Sequence, residues 1–166
     1  LERVRVLRAL AAGPASAPER VISAVRGAAS RLLRSDTPHA RALRGELHTQ
    51  TGLSEPMIEW GLKTSLTSVL DAPLAQLVRG LPPQPTPGEL IGVVLAGNVF
   101  SAAVRGVCLP LLAGAHVIAK AASDESAWLS AFAGALRDTD AHVGQRLSIV
   151  QFSRQDAEAA RALCSH

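Results

Sequence analysis

The sequence predicts an α/β protein in which an N-terminal helical segment precedes part of a doubly wound parallel sheet. Before residue 81, apolar residues recur at helical spacing, whereas after residue 89 short apolar strands alternate three times with amphipathic helices. Between these parts, residues 81–89 contain four prolines, which prevent regular structure and favour a stiff connector. We therefore divide the chain into a helical N-terminal region (1–80), a proline-rich connector (81–89) and a partial sheet domain (90–166).

Three segments of the N-terminal region carry helix signals. Pro18 suits the first turn of one helix, and Ser54 suits the cap of a second that begins after Gly52. A third helix follows Pro73 and ends near Gly80. Two apolar stripes are expected in the core: Val21, Ile22, Val25, Ala29, Leu32 and Leu33 in the first helix, and Ile58, Leu62, Leu66 and Val69 in the second.

Composition excludes several classes of protein. No apolar run approaches the roughly 20 residues of a membrane span, and the two cysteines lack the spacing of a zinc site or a redox dithiol. The five histidines form no ligand pair, so no metal site is expected. The arginines at the front alternate with apolar residues, as on the wet face of packed helices, which argues against a nucleic-acid partner or a targeting peptide. We expect a soluble, cytoplasmic protein.

The sheet domain should contain three strands, at residues 90–96, 116–120 and 147–152. Helices are predicted over about 101–113, from Ser123 onward, and after Ser153, which with Asp156 forms a capping box. Gly114 can end the first of these helices in the left-handed conformation. Because short parallel strands need helical crossovers, this order predicts a parallel sheet with right-handed connections. The second helix should turn these residues inward: Trp128, Leu129, Phe132 and Leu136.

Ligands of such sheets bind beyond the carboxyl ends of the strands, so the candidate binding residues are those that follow each strand. The first loop lacks the three-glycine fingerprint of an ordinary dinucleotide site. Its Asn98 either makes a local turn or donates a hydrogen bond to a developing oxyanion. Lys120 is either solvated at its strand end or contributes to a phosphate or ribose site near Ser123. Cys108 falls among apolar helix residues and is expected to be a buried small hydrophobe.

The block GVVLAGNVFSAAVRGVCLPLLAGAHVIAKAASDES resembles the start of the cofactor domain in the aldehyde dehydrogenase superfamily. There a strand leads into a loop with a catalytic asparagine, then a helix with a proline near its end, a glycine turn and a strand that ends in lysine. Pro110, awkward inside a helix, occupies the position of that proline. The resemblance implies that residues 90–166 are half of a nicotinamide-cofactor domain.

Within the superfamily, the chain is most similar to the long-chain fatty acyl-CoA reductases of bacterial bioluminescence. Those proteins have Gly-Asn without the Pro-Trp that precedes the asparagine in ordinary aldehyde dehydrogenases. The segment TGLSEPMIEWGLKTSL also resembles their N-terminal helical region, so the resemblance covers roughly residues 50–166.

This resemblance implies roles for four residues. Asn98 matches the oxyanion-stabilising asparagine, preceded by Gly97 in the cofactor loop, and Lys120 matches the lysine that contacts the adenosine ribose. Ser123 stands where many relatives have a glutamate that holds both ribose hydroxyls. Because a hydroxyl does not repel a 2′-phosphate as a carboxylate does, NADPH is the expected cofactor, with NADH as the alternative.

The implied reaction is reduction of a fatty acyl-CoA to an aldehyde through a cysteine thioester. Neither Cys108 nor Cys164 matches the family's nucleophile, which is expected beyond His166. We therefore expect a fragment of a homo-oligomeric enzyme that is inactive alone. Two alternatives remain: another member of the superfamily, which oxidises aldehydes or reduces glutamyl phosphate, and a non-catalytic scaffold.

Overall fold

The computed structural model describes residues 16–71, 73–80, 90–95, 103–122, 126–153 and 155–164. The helices before the connector are α1 (Pro18–Leu33), α2 (Pro38–Thr51), α3 (Glu55–Asp71) and α4 (Leu74–Arg79). After it come β1 (Leu90–Val94), α5 (Ala103–Leu112), β2 (His116–Lys120), α6 (Ala127–Thr139), α7 (Ala141–Gly144), β3 (Leu147–Val150) and α8 (Ala157–Cys164). The predicted fold class, a helical segment followed by a parallel sheet, is confirmed.

The three strands form one parallel sheet in the order β1-β2-β3. Each strand is therefore joined to its neighbour by a helical crossover, as predicted. β1 and β3 are shorter than predicted, since they end at Val94 and Val150 rather than at residues 96 and 152. Both of these residues pair with Lys120, the last residue of β2.

Helices cover both faces of the sheet. Val117 and Ala119 of β2 belong to the main hydrophobic core, together with residues of α5 and α6. Ile118, which points to the opposite face, packs in a second cluster with Leu90 of β1 and Leu163 of α8. Helices therefore pack on both faces of this three-stranded sheet, with α5 and α6 on one face and α8 on the other.

The helices that precede the connector share the main core with the sheet. α1 and α2 pack against α6, and α3 packs against α1. Both predicted apolar stripes are buried there, except that Leu33 is only half-buried. The predicted inward residues of α6 are also buried, and Trp128 stacks on Phe132 with ring centroids 4.9 Å apart. Residues 81–89 lie outside the described residues, so the domain division at the connector stays a prediction.

Two helices were not singled out in the sequence. α2 is capped at its start by Thr37, whose hydroxyl accepts a hydrogen bond from the Ala40 N–H at 3.2 Å, and at its end by Gly52, with a φ of 67°. α7 is capped by Asp140, whose carboxylate accepts hydrogen bonds from the backbone N–H groups of His142 and Val143. Both are ordinary capping arrangements.

The predicted capping box before the last helix is wrong in its details. The carboxylate of Asp156 accepts the Ala159 N–H at 2.9 Å and caps α8, whereas the Ser153 hydroxyl accepts only the Gln155 N–H. Asp156 is therefore the capping residue itself rather than the third residue of the helix. The helix predicted to open at Ser123 begins only at Ala127, after Ser126, so its predicted start is wrong; Ser123 itself lies outside the described residues. None of the helices in the described ranges is long and apolar enough to cross a membrane.

Candidate functional site

The carboxyl ends of the three strands meet at one edge of the sheet. Val94, Lys120 and Val150 are partners in the strand register and mark this edge. The N–H of Leu95 donates to the Lys120 carbonyl at 3.1 Å, and the N–H of Ala121 donates to the Val150 carbonyl at 3.1 Å. These bonds hold the chain that leaves each strand against its neighbour. The edge is where ligands bind in sheets of this type.

Lys120 is a buried lysine rather than a solvated one. The residue is 7% exposed, and its ammonium donates one hydrogen bond, at 3.2 Å, to the carbonyl of Ala121. None of the ion pairs among the described residues includes Lys120. A buried ammonium without a carboxylate is costly unless other groups stabilise it. Two of its three N–H donors therefore remain for a ligand, as far as the described residues show.

Phe152 is part of this site, although it was not among the predicted site residues. The Lys120 Nζ lies 5.1 Å from the centroid of the Phe152 ring, which is cation–π distance. Phe152 follows β3, and its ring packs against the cluster formed by Leu90, Ile118 and Leu163. The only signal in the sequence was its position just after a predicted strand. The ring helps to hold the cation on the α8 face of the sheet.

The other predicted site residues lie outside the described residues. Gly97 and Asn98 fall in the segment 96–102, and Ser123 falls in the segment 123–125. The structure therefore places Lys120 alone among the four, and the roles of all four remain predictions. Gln50 of α2 contacts the start of α6. Its side-chain oxygen accepts the N–H of Ala127, the first residue of α6, at 3.2 Å.

Cys108 is buried as expected. It is 3% exposed within α5, and burial raises the pKa of its thiol to about 12. The thiol is therefore protonated at neutral pH, whereas the nucleophile of a thioester-forming enzyme must be a thiolate. Cys108 does not have the chemistry of such a nucleophile. For Cys164 the structure describes the helical backbone but not the side chain.

Comparison with known proteins identifies the family. A family model described as acyl-CoA reductase (LuxC) matches residues 83–166. The match covers 84 of the 166 residues and includes all three strands, Lys120 and the predicted loop residues. A comparison with curated proteins gives no match. By the extent of the family match, and in agreement with the fold of its sheet region, this chain belongs to the acyl-CoA reductase (LuxC) family.

Proposed function

We propose that this chain is the front part of an enzyme that reduces a fatty acyl-CoA to an aldehyde with NADPH. The family supports acyl-CoA reduction, and the observation that carries the cofactor assignment is the burial of Lys120 at the carboxyl edge of the sheet. An ammonium at this edge, with N–H donors that no described residue accepts, can bind the phosphate and ribose hydroxyl groups of a dinucleotide.

The residues fit such a cofactor. In our proposal, the ammonium of Lys120 donates to the adenosine ribose while the Ala121 carbonyl and the Phe152 ring fix its direction. Ser123 carries no negative charge and so does not repel a 2′-phosphate, which is the reason for choosing NADPH over NADH. When bound, NADPH supplies the hydride for the reduction.

Asn98 is proposed as the oxyanion-stabilising residue of the site, and Gly97 as a cofactor-binding residue of the same loop. A carboxamide N–H that stabilises the negative charge developing on the thioester oxygen lowers the barrier for hydride transfer. The small Gly97 before it lets the backbone approach the cofactor closely. Both residues follow β1, whose register with β2 brings the end of the strand beside Lys120.

The nucleophile in this proposal is a cysteine outside the present sequence. The thiol of Cys108 is buried and protonated at neutral pH, so it does not accept an acyl group from CoA. We therefore expect this chain to bind NADPH without reducing acyl-CoA, and the larger protein to do both. Its assembly as a homo-oligomer is part of the same proposal.

The direct test is a reductase assay on the complete protein that carries this sequence. We expect a long-chain acyl-CoA, NADPH and a proton to give aldehyde, free CoA and NADP⁺, with the present chain alone as the inactive control. Oxidation of aldehydes without any reaction of acyl-CoA, or reduction of glutamyl phosphate, would assign the protein to another branch of the superfamily. A folded protein that binds neither nucleotide would be a scaffold and would contradict the proposal.

A further inference from the structure

The amino-terminal end of the sheet contains a second buried cation, Arg146. It lies just before β3 and is 3% exposed. Its backbone is fixed on both sides, since its carbonyl accepts the N–H of Val117 at 2.7 Å and its N–H donates to the Val143 carbonyl. The side chain is different, because neither Nε nor Nη1 has a hydrogen-bond partner. A buried guanidinium with unsatisfied N–H groups is destabilising unless something binds it.

His116, beside Arg146, is also buried with an unpaired side-chain nitrogen. Val117 pairs with Leu147 in the strand register, so the preceding residues, His116 and Arg146, are neighbours across the two strands. His116 is 7% exposed, and its Nδ1 is buried without a partner. Burial, and after it the charges of Arg146 and His142, lower the pKa of His116. The ring is therefore neutral at pH 7 and can still donate a hydrogen bond from a protonated Nδ1.

No carboxylate of the described residues compensates this pair. None of their ion pairs includes Arg146 or His116. Asp140, the acid at the start of α7 nearby in the chain, is already bound to Arg20 and to the first N–H groups of its own helix. Burial lowers the pKa of Arg146, with no contribution from an acid to raise it. The guanidinium therefore has no anionic partner among the described residues.

We propose that Arg146 and His116 form a binding site for a small oxyanion, a phosphate or a carboxylate group, at the amino-terminal end of the sheet. The planar guanidinium presents several N–H groups that match the oxygens of such an anion, and the imidazole adds one donor at its side. The five residues of β2 separate this place from Lys120 by roughly 13 Å, from the rise of about 3.3 Å per residue. The proposal is therefore independent of the proposed cofactor site.

The first test is a direct titration of the chain with inorganic phosphate, observed by ³¹P NMR. We expect saturable broadening of the phosphate signal. Competition by acetate shows whether a carboxylate takes the same place, and its absence assigns the site to phosphate alone. If the signal of phosphate does not change as protein is added, then water alone satisfies these groups and the proposal is wrong.

The second test uses Arg146→Met, with Arg31→Met at an exposed position of α1 as the matched control for net charge. At constant ionic strength, replacing chloride by phosphate at about ten times its dissociation constant should raise the Tm of the unmodified chain by roughly 3–6 °C. Arg31→Met should keep this rise, which also controls for general stabilisation by phosphate. Arg146→Met should lose it.

In chloride alone, Arg146→Met should be at least as stable as the unmodified chain because it removes an uncompensated buried charge. A large loss of stability in chloride would mean that Arg146 has a partner within the protein and would overturn the proposal. Should Arg146→Met not fold, Arg146→Lys replaces it in the NMR titration. That variant keeps the charge without the planar fork, so phosphate should bind several-fold more weakly. Unchanged binding would remove Arg146 from the site.

Discussion

Burial has opposite chemical consequences for Cys108 and Lys120. Cys108 is surrounded by apolar side chains of α5, and its thiol remains uncharged because nothing nearby stabilises a thiolate. Lys120 is nearly as buried, but a carbonyl and an aromatic ring surround its ammonium. Cys108 therefore only packs in the core, whereas the ammonium of Lys120 keeps N–H donors for a ligand.

Cys108 should resist alkylation in the native state. A pKa of about 12 leaves about one thiolate in ten thousand at pH 8. We expect iodoacetamide to leave Cys108 unmodified in the folded chain and to modify it fully in denaturant, as measured by peptide mass spectrometry. Modification of native Cys108 at the rate of an exposed thiol would show that this thiol is reactive after all.

At the scale of single residues, the sequence predicted the burial of Cys108 and left the environment of Lys120 open. Cys108 lies in an apolar helical pattern, which is a local signal. The ammonium of Lys120 lies beside the ring of Phe152, which is 32 positions away in the sequence and comes close because β3 is the neighbour of β2. Such a contact is a property of the tertiary structure and has no local pattern.

Among the secondary-structure elements, the corner between α6 and α7 is held by Asp140. Its carboxylate binds Arg20 of α1 through two hydrogen bonds, of 2.6 and 3.0 Å, and also caps α7. The hydrogen bonds from Arg20, assisted by the backbone N–H groups of Val143 and His142, lower the pKa of Asp140. One side chain therefore connects the N-terminal helices to the sheet domain.

The contribution of Asp140 to stability should depend on pH. Because its folded pKa is depressed, the stabilisation is fully present above the unfolded pKa of about 3.9 and is lost as the pH falls through the folded value. Asp140→Ala should cost about 1 kcal/mol at pH 7 through the lost cap. Asp140→Asn, which keeps a capping oxygen, should cost less.

Urea unfolding of the three proteins at several pH values checks this. The difference between the unmodified chain and Asp140→Asn should shrink below about pH 4, where the carboxyl becomes protonated. A difference that does not change between pH 7 and pH 3 would contradict the role given to the charge.

The same corner requires a glycine at position 144. A Cβ added to Gly144 would lie 2.7 Å from the Cα and 2.9 Å from the backbone nitrogen of Arg137 in α6. Gly144→Ala should therefore destabilise the chain by about 1–3 kcal/mol, because a backbone has to move. Gly45 is the matched control, since a Cβ there meets no atom within 4 Å.

Gly45→Ala should stabilise the chain by about 0.5–1 kcal/mol, because it lies on the exposed face of α2, where alanine is the better helix former. Thermal unfolding of the two variants gives both values. Equal effects of the same sign would mean that the close approach between α6 and α7 is absent.

The strongly periodic helices were predicted well from the sequence, whereas α2, which buries only three residues, the short α7 and the caps were not. The stripes of α1 and α3 repeat over roughly three turns and leave little choice of face. α7 has four residues and depends on the Asp140 cap, so periodicity could not reveal it. Ser153 and Asp156 are about one helical turn apart, and both residue types are favoured at a helix N-cap, so the sequence could not decide which of them caps α8.

For the molecule as a whole, the main observation is that the helices before the connector and the sheet share one hydrophobic core. Residues of α1 and α3 belong to the same cluster as Phe132 of α6 and Val117 of β2. Elements that bury the same core normally unfold together. The described parts on both sides of the connector should therefore behave as one unit.

Two tryptophans allow a test of this cooperativity. Trp60 lies on α3, 73% exposed, and Trp128 is buried in α6. Trp60→Phe leaves Trp128 to report on the sheet side, and Trp128→Phe leaves Trp60 to report on the helical side. In each variant, the fluorescence transition should coincide with the loss of helix measured by circular dichroism. Separate midpoints within one variant would indicate two independent folding units.

The overall topology could be predicted because each step was local. Alternating strands and helices after residue 89 require parallel pairing, and parallel pairing requires crossovers. The position of α8 on the second face could not be predicted this way, because it depends on Leu163 meeting Leu90 and Ile118 across the sheet. The loops that carry Gly97, Asn98 and Ser123 lie outside the described residues, so that part of the predicted site still depends on the resemblance of their sequence.

The most direct test of the account is a calorimetric titration of this chain with NADPH and NADH. We predict saturable binding of NADPH, weaker binding of NADH, and a loss of affinity of at least about tenfold in Lys120→Met. Lys63→Met, which changes the other lysine of the sequence at an exposed position of α3, should bind NADPH as the unmodified chain does. If Lys120→Met binds NADPH unchanged, or the folded chain binds neither nucleotide, the assignment of the carboxyl edge to the cofactor is wrong.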